Sequence, residues 1–311
     1  MKTKSMVSIV IPVYHSERIV AETVSKTIEE MKKTGYLYEI ILVNDGSKDN
    51  SWSIIRDLAE QNENIKSINL IKNYGQHTAV LCGIKHSKGD YIVTMDDDLQ
   101  NPPQEIIKLV KKIEEGFDLV FGKFPKKKHA GYRKFGTLII NQLNRYIFGK
   151  PNHIALSNFR IFTRKVGQRV SCYKTLYPYI PGLLLMFSGS IANVETEHCA
   201  RTIGKSNYSM LKILYLVARL LFNYSSFPLK FLAVIGFAIS VLSFAVGIYL
   251  ILKAVFIGTQ VPGWTSISVL LSFFNGFIII MLGVMGEYLS RILNQVSIGE
   301  PYQIDEIVGS E

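Results

Sequence analysis

The sequence predicts an α/β fold on a mainly parallel sheet, followed by helices that meet a membrane. Three observations predict it. Short β-branched runs alternate with helical periodicity between Val7 and Gly122. Acidic side chains stand at the ends of two predicted strands. Two long uncharged stretches lie near the C-terminal end of the 311 residues.

The elements follow in order. Val7–Val13 (VSIVIPV) is a buried strand by its β-branched run. Arg18 to about Lys33 places Ile19, Val20, Val24, Ile28 and Met31 at helical spacing. Glu39–Val43 is a second strand, closed by Asn44-Asp45-Gly46-Ser47, and Ser51–Gln61 is helical. Lys66–Leu70 is a third strand, Gln76–His86 a helix, and Tyr91–Met95 a fourth strand closed by Asp96-Asp97-Asp98. Asn101-Pro102-Pro103-Gln104 opens a helix to about Glu115, with Asn101 expected as N-cap and Gln104 reaching back. Phe117–Gly122 is a fifth strand. Strict alternation implies helices on both faces of a parallel sheet, and in such sheets ligands sit beyond the carboxyl ends of the strands. Asp45 and Asp96–Asp98 fall at those ends.

The C-terminal part reads differently. Phe231–Leu252 and Ala254–Gly286 carry no charge, and roughly 20 apolar helical residues cross a bilayer core. Spans are expected at about 231–252 and 267–286. Lys212, Arg219 and Lys230 precede the first and Arg291 follows the second, with only Lys253 between. The positive-inside tendency makes this a hairpin with both termini cytoplasmic, in the inner (plasma) membrane. Residues 209–228, with polar positions at Lys212, Arg219 and Asn223, suit a helix in the membrane interface. The expected division is 1–208 catalytic, 209–228 interfacial, 229–290 hairpin and 291–311 tail. Gly236, Gly247, Gly276 and Gly283 permit close helix packing, including homo-oligomer contacts. No secretory leader is read at Met1–Met6, because the apolar run that follows is broken by Pro12.

The net charge of +10 suits anionic lipid and phosphorylated ligands, with no nucleic acid expected. Lys123–Lys134 concentrates six Lys/Arg without an acid. Cys82, Cys172 and Cys199 lack CxxC spacing and imply neither disulfides nor a zinc site.

Three adjacent carboxylates at a strand end repel one another unless a cation offsets them. Mg²⁺ and Mn²⁺ take oxygen ligands and bridge carboxylates to phosphates. Asp98 is the expected direct ligand and Asp96 its neighbour on metal or sugar, with Gln100 completing the shell. In extended backbone Asp97 projects to the opposite side. At the other strand end, Asp45 is an acceptor for a base N–H or a ribose hydroxyl, and Gly46 allows the tight turn. After the first strand, Tyr14 offers a stacking face and Glu17 a ribose acceptor.

SIVIPVYHSE, ILVNDGSKDNS, NYGQHTAVLCGIKHSKGDYIVTMDDDLQNPP and the terminal hairpin together resemble glycosyltransferase family 2. The likeness is to its polyprenyl-phosphate branch, of the bactoprenol glucosyltransferase and dolichyl-phosphate mannose synthase kind, from about Ser8 to Pro301. The resemblance implies a nucleotide-sugar-binding, Rossmann-like GT-A domain. It implies an inverting, metal-dependent transfer, glucose first, from a UDP- or GDP-sugar to polyprenyl (undecaprenyl) phosphate; a glycan or wall polymer is the alternative acceptor. It places Pro12, Tyr14, Glu17, Asp45 and Asp97 at the donor, and Asp96, Asp98 and Gln100 at a Mg²⁺ or Mn²⁺. It places Arg160, Arg201 and Lys205 at the acceptor phosphate, as a planar fork or a point charge would bind it. Three positions depart from the pattern: His15 replaces the usual Asn, Gln76 a common Lys, and Asn158 an Asp proposed in relatives as catalytic base. Asn takes no proton, but a phosphate monoester, with a second pKa of about 6, is already its own nucleophile.

Overall fold

The structure, a computed structural model, describes residues 5–124, 131–197, 199, 210–225, 227–257, 263–297 and 300–309. It divides into two compact units, residues 1–214 with 299–311, and residues 215–298.

The first unit holds β1 (Met6–Val13), α1 (Val20–Thr34), β2 (Leu37–Asn44), α2 (Ser51–Gln61), β3 (Ile65–Leu70), α3 (Gln76–Lys85) and β4 (Tyr91–Thr94). After a 3-10 turn at Pro103–Glu105 come α4 (Ile106–Ile113), β5 (Leu119–Lys123), α5 (Gly131–Phe148), β6 (Arg160–Thr163), α6 (Arg164–Cys172), α7 (Ile180–Phe187) and β7 (Ile191–Glu195). The chain ends in β8 (Ile304–Val308).

One eight-stranded sheet runs in the order β7-β5-β6-β4-β1-β2-β3-β8. Its centre, β3-β2-β1-β4, is parallel, as expected. Strand period fixes the faces. Val7, Ile9, Ile11 and Val13 pack with Val24 of α1, Ile55 of α2 and Leu109 of α4. The intervening Val10 faces α3, so closely that a Cβ on Gly83 would meet its Cγ1 at 2.3 Å. Both faces of β1 are therefore buried, and burying each such aliphatic side chain contributes about 1.5–3 kcal/mol.

The flanks depart from a purely parallel sheet. β6 inserts between β4 and β5 and runs antiparallel to both. Thr94, the last residue of β4, is opposite Arg160, the first of β6. An antiparallel neighbour starts where β4 stops, and so it delivers Ser157–Arg160 to the carboxyl edge of the parallel core. β8 closes the other edge, antiparallel to β3.

One local expectation is corrected. Asn101 is not an N-cap: the turn begins at Pro103 without a side-chain cap hydrogen bond. Asn101 is instead buried and its Oδ1 has no hydrogen-bond partner. Two consecutive prolines hold Pro102 extended, at φ −61° and ψ 132°, and this moves the helix start one residue on.

The second unit contains most of α8 (Met210–Tyr224), and α9 (Phe227–Ile257) and α10 (Trp264–Ser297). On α8, Arg219 stacks on Tyr215, 4.3 Å from its ring centroid. Among the described residues no single helix is long and apolar enough to cross a membrane. Leu214–Tyr224 and Phe227–Ile239 are so only as a bent pair, and Phe274–Ser290 is a shorter apolar helix. Gly236 packs against Met281 of α10, whereas Gly276 and Gly283 have open space at the Cβ position.

Candidate active site

Two clusters form at the carboxyl edge. The first surrounds Asp45, directly after β2. Its Oδ1 accepts the Tyr74 N–H at 2.7 Å and its Oδ2 the Gly75 N–H at 2.9 Å. Burial raises its pKa, against the pull of those two N–H groups. Asp45 thus shapes the 72–75 loop. Gly46 has φ +63°, and a Cβ there would lie 2.4 Å from the Lys72 carbonyl carbon. Only glycine lets the two loops approach this closely.

The loop after β1 is tied to the same turn. The His15 N–H donates to Ser47 Oγ at 3.1 Å, the Glu17 N–H to Asp49 Oδ2 at 3.4 Å, and the Asn50 N–H to Glu17 Oε2 at 3.1 Å. His15 is left-handed at φ 53°, a conformation that His, Asn and Asp adopt more readily than most side chains. Tyr14 is 49% exposed, its ring edge-on to His15 at 4.3 Å. A flat aromatic face and carboxylates at a strand end suit a nucleoside.

The second cluster is a recess whose lining includes buried Pro12, with Gln76, His77, Thr94, Asp96, Asn158 and Arg160. Gln76 opens α3, and its Nε2 donates to Asp96 Oδ1. Asn158 Nδ2 donates to Asp96 Oδ2 at 3.3 Å. The two amides, both departures from the family pattern, hold one carboxylate from two sides. Arg160 lies beneath, 1% exposed; its Nε donates to Thr94 Oγ1 at 3.0 Å and an Nη to the Ser157 carbonyl at 3.3 Å. Burial pulls the Arg160 pKa down to about 10, while Asp96 and Tyr179 hold it up. Burial also drives His77 down to about 4, with the Arg160 charge adding to it, so the imidazole is neutral.

The acid run bends after Asp96. Burial raises the Asp96 pKa and the Asp98 charge adds to it, while Asn158, Arg160 and Gln76 oppose. Asp97 turns toward α1, where its carbonyl accepts the Thr23 hydroxyl at 2.8 Å. Burial, with the charges of Asp96 and Asp98, pushes its carboxyl up to about 7 against a hydrogen bond from Ser16. Asp98 Oδ1 accepts the Gln100 N–H at 3.1 Å around Leu99 at φ 56°, and the Gln100 carbonyl accepts the Cys199 N–H at 2.9 Å. The extended alternation expected for 96–98 is therefore a bend, although Asp97 does diverge from Asp96.

This donor set fits Mg²⁺ or Mn²⁺. Asp96 and Asp98 offer carboxylate oxygens and Gln100 an amide oxygen, all hard ligands, and the mutual repulsion of the carboxylates is what a divalent cation offsets. Among the described residues no three His, Cys, Asp or Glu side chains assemble a metal shell.

Arg160 is buried beneath the carboxylates, and its guanidinium is placed to offset Asp96. Arg201 and Lys205 lie outside the described residues, as do residues 125–130 of the basic 123–134 segment. Gln76 stood out in the sequence as a departure from the family's common Lys, whereas His77 was reachable only as part of the helix following Gly75.

Comparison with known proteins now adds to the geometry. Residues 8–171 match the sequence profile of Glycosyl transferase family 2. The chain belongs to this family. It is a glycosyltransferase, and the resemblance to the polyprenyl-phosphate branch holds along nearly its whole length. The undecaprenyl-phosphate 4-deoxy-4-formamido-L-arabinose transferase of Shewanella sediminis is 34% identical over 308 residues, covering 98% of this chain and 93% of its own. That of Proteus mirabilis is 34% identical over 307 residues, covering 97% and 94%. In fold the family 2 chain is like glucosyl-3-phosphoglycerate synthase from Mycobacterium tuberculosis, solved with Mn²⁺, UDP and phosphoglyceric acid. That likeness has a TM-score of 0.52 at 19% identity, over 70% of this chain and 76% of the other.

Proposed function

We propose that this glycosyltransferase moves a sugar from a UDP-sugar to undecaprenyl phosphate at the cytoplasmic face of the membrane, with inversion at the anomeric carbon. The observation that carries the site is Asp96, clamped by Gln76 and Asn158 over Arg160 and two residues from Asp98. The relatives' names supply the acceptor and favour 4-deoxy-4-formamido-L-arabinose as the sugar, ahead of glucose.

Tyr14, Glu17 and Asp45 bind the nucleoside, and Asp97 buttresses the turn toward α1. Asp96, Asp98 and Gln100 would hold Mg²⁺ or Mn²⁺, which when bound supplies Lewis-acid stabilisation of the leaving diphosphate. Asn158 is a positioning residue, because its N–H fixes Asp96 and it takes no proton. The ionised acceptor phosphate needs no base: its oxygen forms the bond to the anomeric carbon as the bond to the diphosphate breaks. The electron pair of that broken bond leaves with the nucleoside diphosphate. Arg201 and Lys205 orient the acceptor phosphate, and Arg160 offsets Asp96 from below.

The lipid acceptor explains the C-terminal helices. Phe237 at 73% exposure on α9 and Ile279 at 67% on α10 face outward, as lipid-facing side chains do. We assign spans to residues 231–252 and 267–286, an interfacial helix to 209–228, and both termini to the cytoplasm. Copies associate through open glycine faces such as Gly276 and Gly283.

Full-length protein in vesicles containing undecaprenyl phosphate, given labelled UDP-4-deoxy-4-formamido-L-arabinose or UDP-glucose, should yield a labelled lipid. Asp98→Ala should abolish that product while membrane insertion is retained. Label appearing only in a water-soluble product would refute the acceptor.

A further inference from the structure

The last strand bears on the donor site through an unbroken line of side chains. The Ser47 N–H, fixed by the backbone, donates to Asn44 Oδ1 at 3.4 Å. That contact sets the Asn44 amide, whose Nδ2 then donates to Asn69 Oδ1 at 2.7 Å. Asn69 is set in turn, and its Nδ2 points outward and requires an acceptor. Asp305 of β8 supplies one, with Oδ2 at 3.0 Å. At the inner end, Ser47 Oγ accepts the His15 N–H beside Tyr14. Every amide orientation along the line follows from one backbone N–H, and the line ends on a carboxylate, which only accepts.

The strand that carries Asp305 is firmly seated. Tyr302 is 5% exposed, Glu300 pairs with Lys85 of α3, and the Ile71 N–H donates to the Gln303 carbonyl at 3.1 Å. Ile71 directly precedes the 72–75 loop that Asp45 shapes.

We infer that Asp305 is a positioning residue for the nucleoside site, acting through Asn69 and Asn44 on the Ser47–His15 turn. The C-terminal strand, 236 residues from Asn69 in the chain, thereby completes the donor pocket. The inference rests on the donor-site reading above, but the geometry of the turn can be measured without ligand.

Full-length Asp305→Ala, Asp305→Asn and Glu306→Ala are compared by amide hydrogen exchange and by UDP binding with Mn²⁺. Glu306 is the control: it is on the same strand, also exposed, and lies opposite Asn69 in the ladder, but its carboxylate makes no hydrogen bond to Asn69. Asp305→Ala should speed exchange at the Ser47 and His15 N–H and weaken UDP, each about five- to tenfold. KM for the sugar nucleotide should rise with it, while kcat and KM for the lipid stay unchanged. Asp305→Asn, whose carbonyl still accepts, should stay within about twofold, as should Glu306→Ala. If Asp305→Ala loosens β8 itself, Asn69→Ala breaks the same line with the sequence of β8 unchanged and should give the same pattern. Unchanged exchange in Asp305→Ala and Asn69→Ala, or equal effects from Asp305→Ala and Glu306→Ala, would overturn the inference. Wild-type protein that fails to bind UDP would instead refute the donor reading, leaving the exchange result to judge the relay.

Discussion

Replacing Gly46 by alanine should disable the donor turn, and the structure supplies a matched control. Gly46 and Gly149 share a left-handed conformation, at φ +63° and +66°, but not their surroundings. A Cβ at Gly149 meets nothing within 4 Å, whereas at Gly46 it lands 2.4 Å from the Lys72 carbonyl carbon and 2.5 Å from Asn73 N. The left-handed conformation alone costs alanine about 1–2 kcal/mol. In a unit of this size each kcal/mol lowers Tm by about 2–4 °C, so Gly149→Ala should lose roughly 2–8 °C. Gly46→Ala bears the same cost and must also push backbone aside by about 1 Å. Overpacking of this kind adds about 1–3 kcal/mol, for a total loss roughly twice as large. The loop it displaces is the one held by Asp45, so UDP affinity should fall more than about tenfold in Gly46→Ala and stay unchanged in Gly149→Ala. Thermal unfolding and calorimetric titration of the full-length variants read both effects. Equal Tm losses with equal UDP affinity would refute the close-approach argument.

Other perturbations separate the roles around Asp96. Arg160→Met removes the buried cation beside the carboxylates and should cost about 3–5 kcal/mol, visible in thermal unfolding, with transfer lost. Asn158→Ala should reduce kcat with little change in the pH profile, since Asn158 exchanges no proton; a lost basic limb would make it part of the proton chemistry. Asp97, raised to about 7 by burial and by its acidic neighbours, stabilises the fold fully below its unfolded pKa and loses that contribution as pH rises through 7. His77, lowered to about 4, acts in the opposite sense and only between about 4 and 6.5. Metal-free protein should therefore lose Tm between pH 6.5 and 8, and Asp97→Asn should flatten that slope. Mn²⁺ at pH 8 should restore the lost stability if the cation offsets the acid run; no effect of Mn²⁺ would count against it.

The central sheet was legible because both of its faces are buried. VSIVIPV, EIILV and the run before Asp96 can be little else, and their ends place Asp45 and Asp96 at one edge. β6 was not legible, since Arg160–Thr163 is four residues long and begins with a charge. No linear pattern says that a later strand inserts between β4 and β5, yet that insertion brings Asn158 and Arg160 to Asp96. β8 (IDEIV) shows no strict alternation, and its partner β3 lies more than 200 residues earlier, beyond the reach of local periodicity. The burial of Arg160 was not legible either, since a lone arginine reads as exposed and only the pairing with Thr94 shows it buried. The Asn101 cap failed because two prolines, read as helix openers, hold the preceding backbone extended.

The most direct measurement is lipid-linked sugar formed from UDP-sugar and undecaprenyl phosphate by the full-length protein, titrated with Mn²⁺ after chelation. Product should appear only with the divalent cation, saturate with it, and vanish in Asp98→Ala at every concentration. Full transfer in the chelated protein, or in Asp98→Ala, would contradict the account.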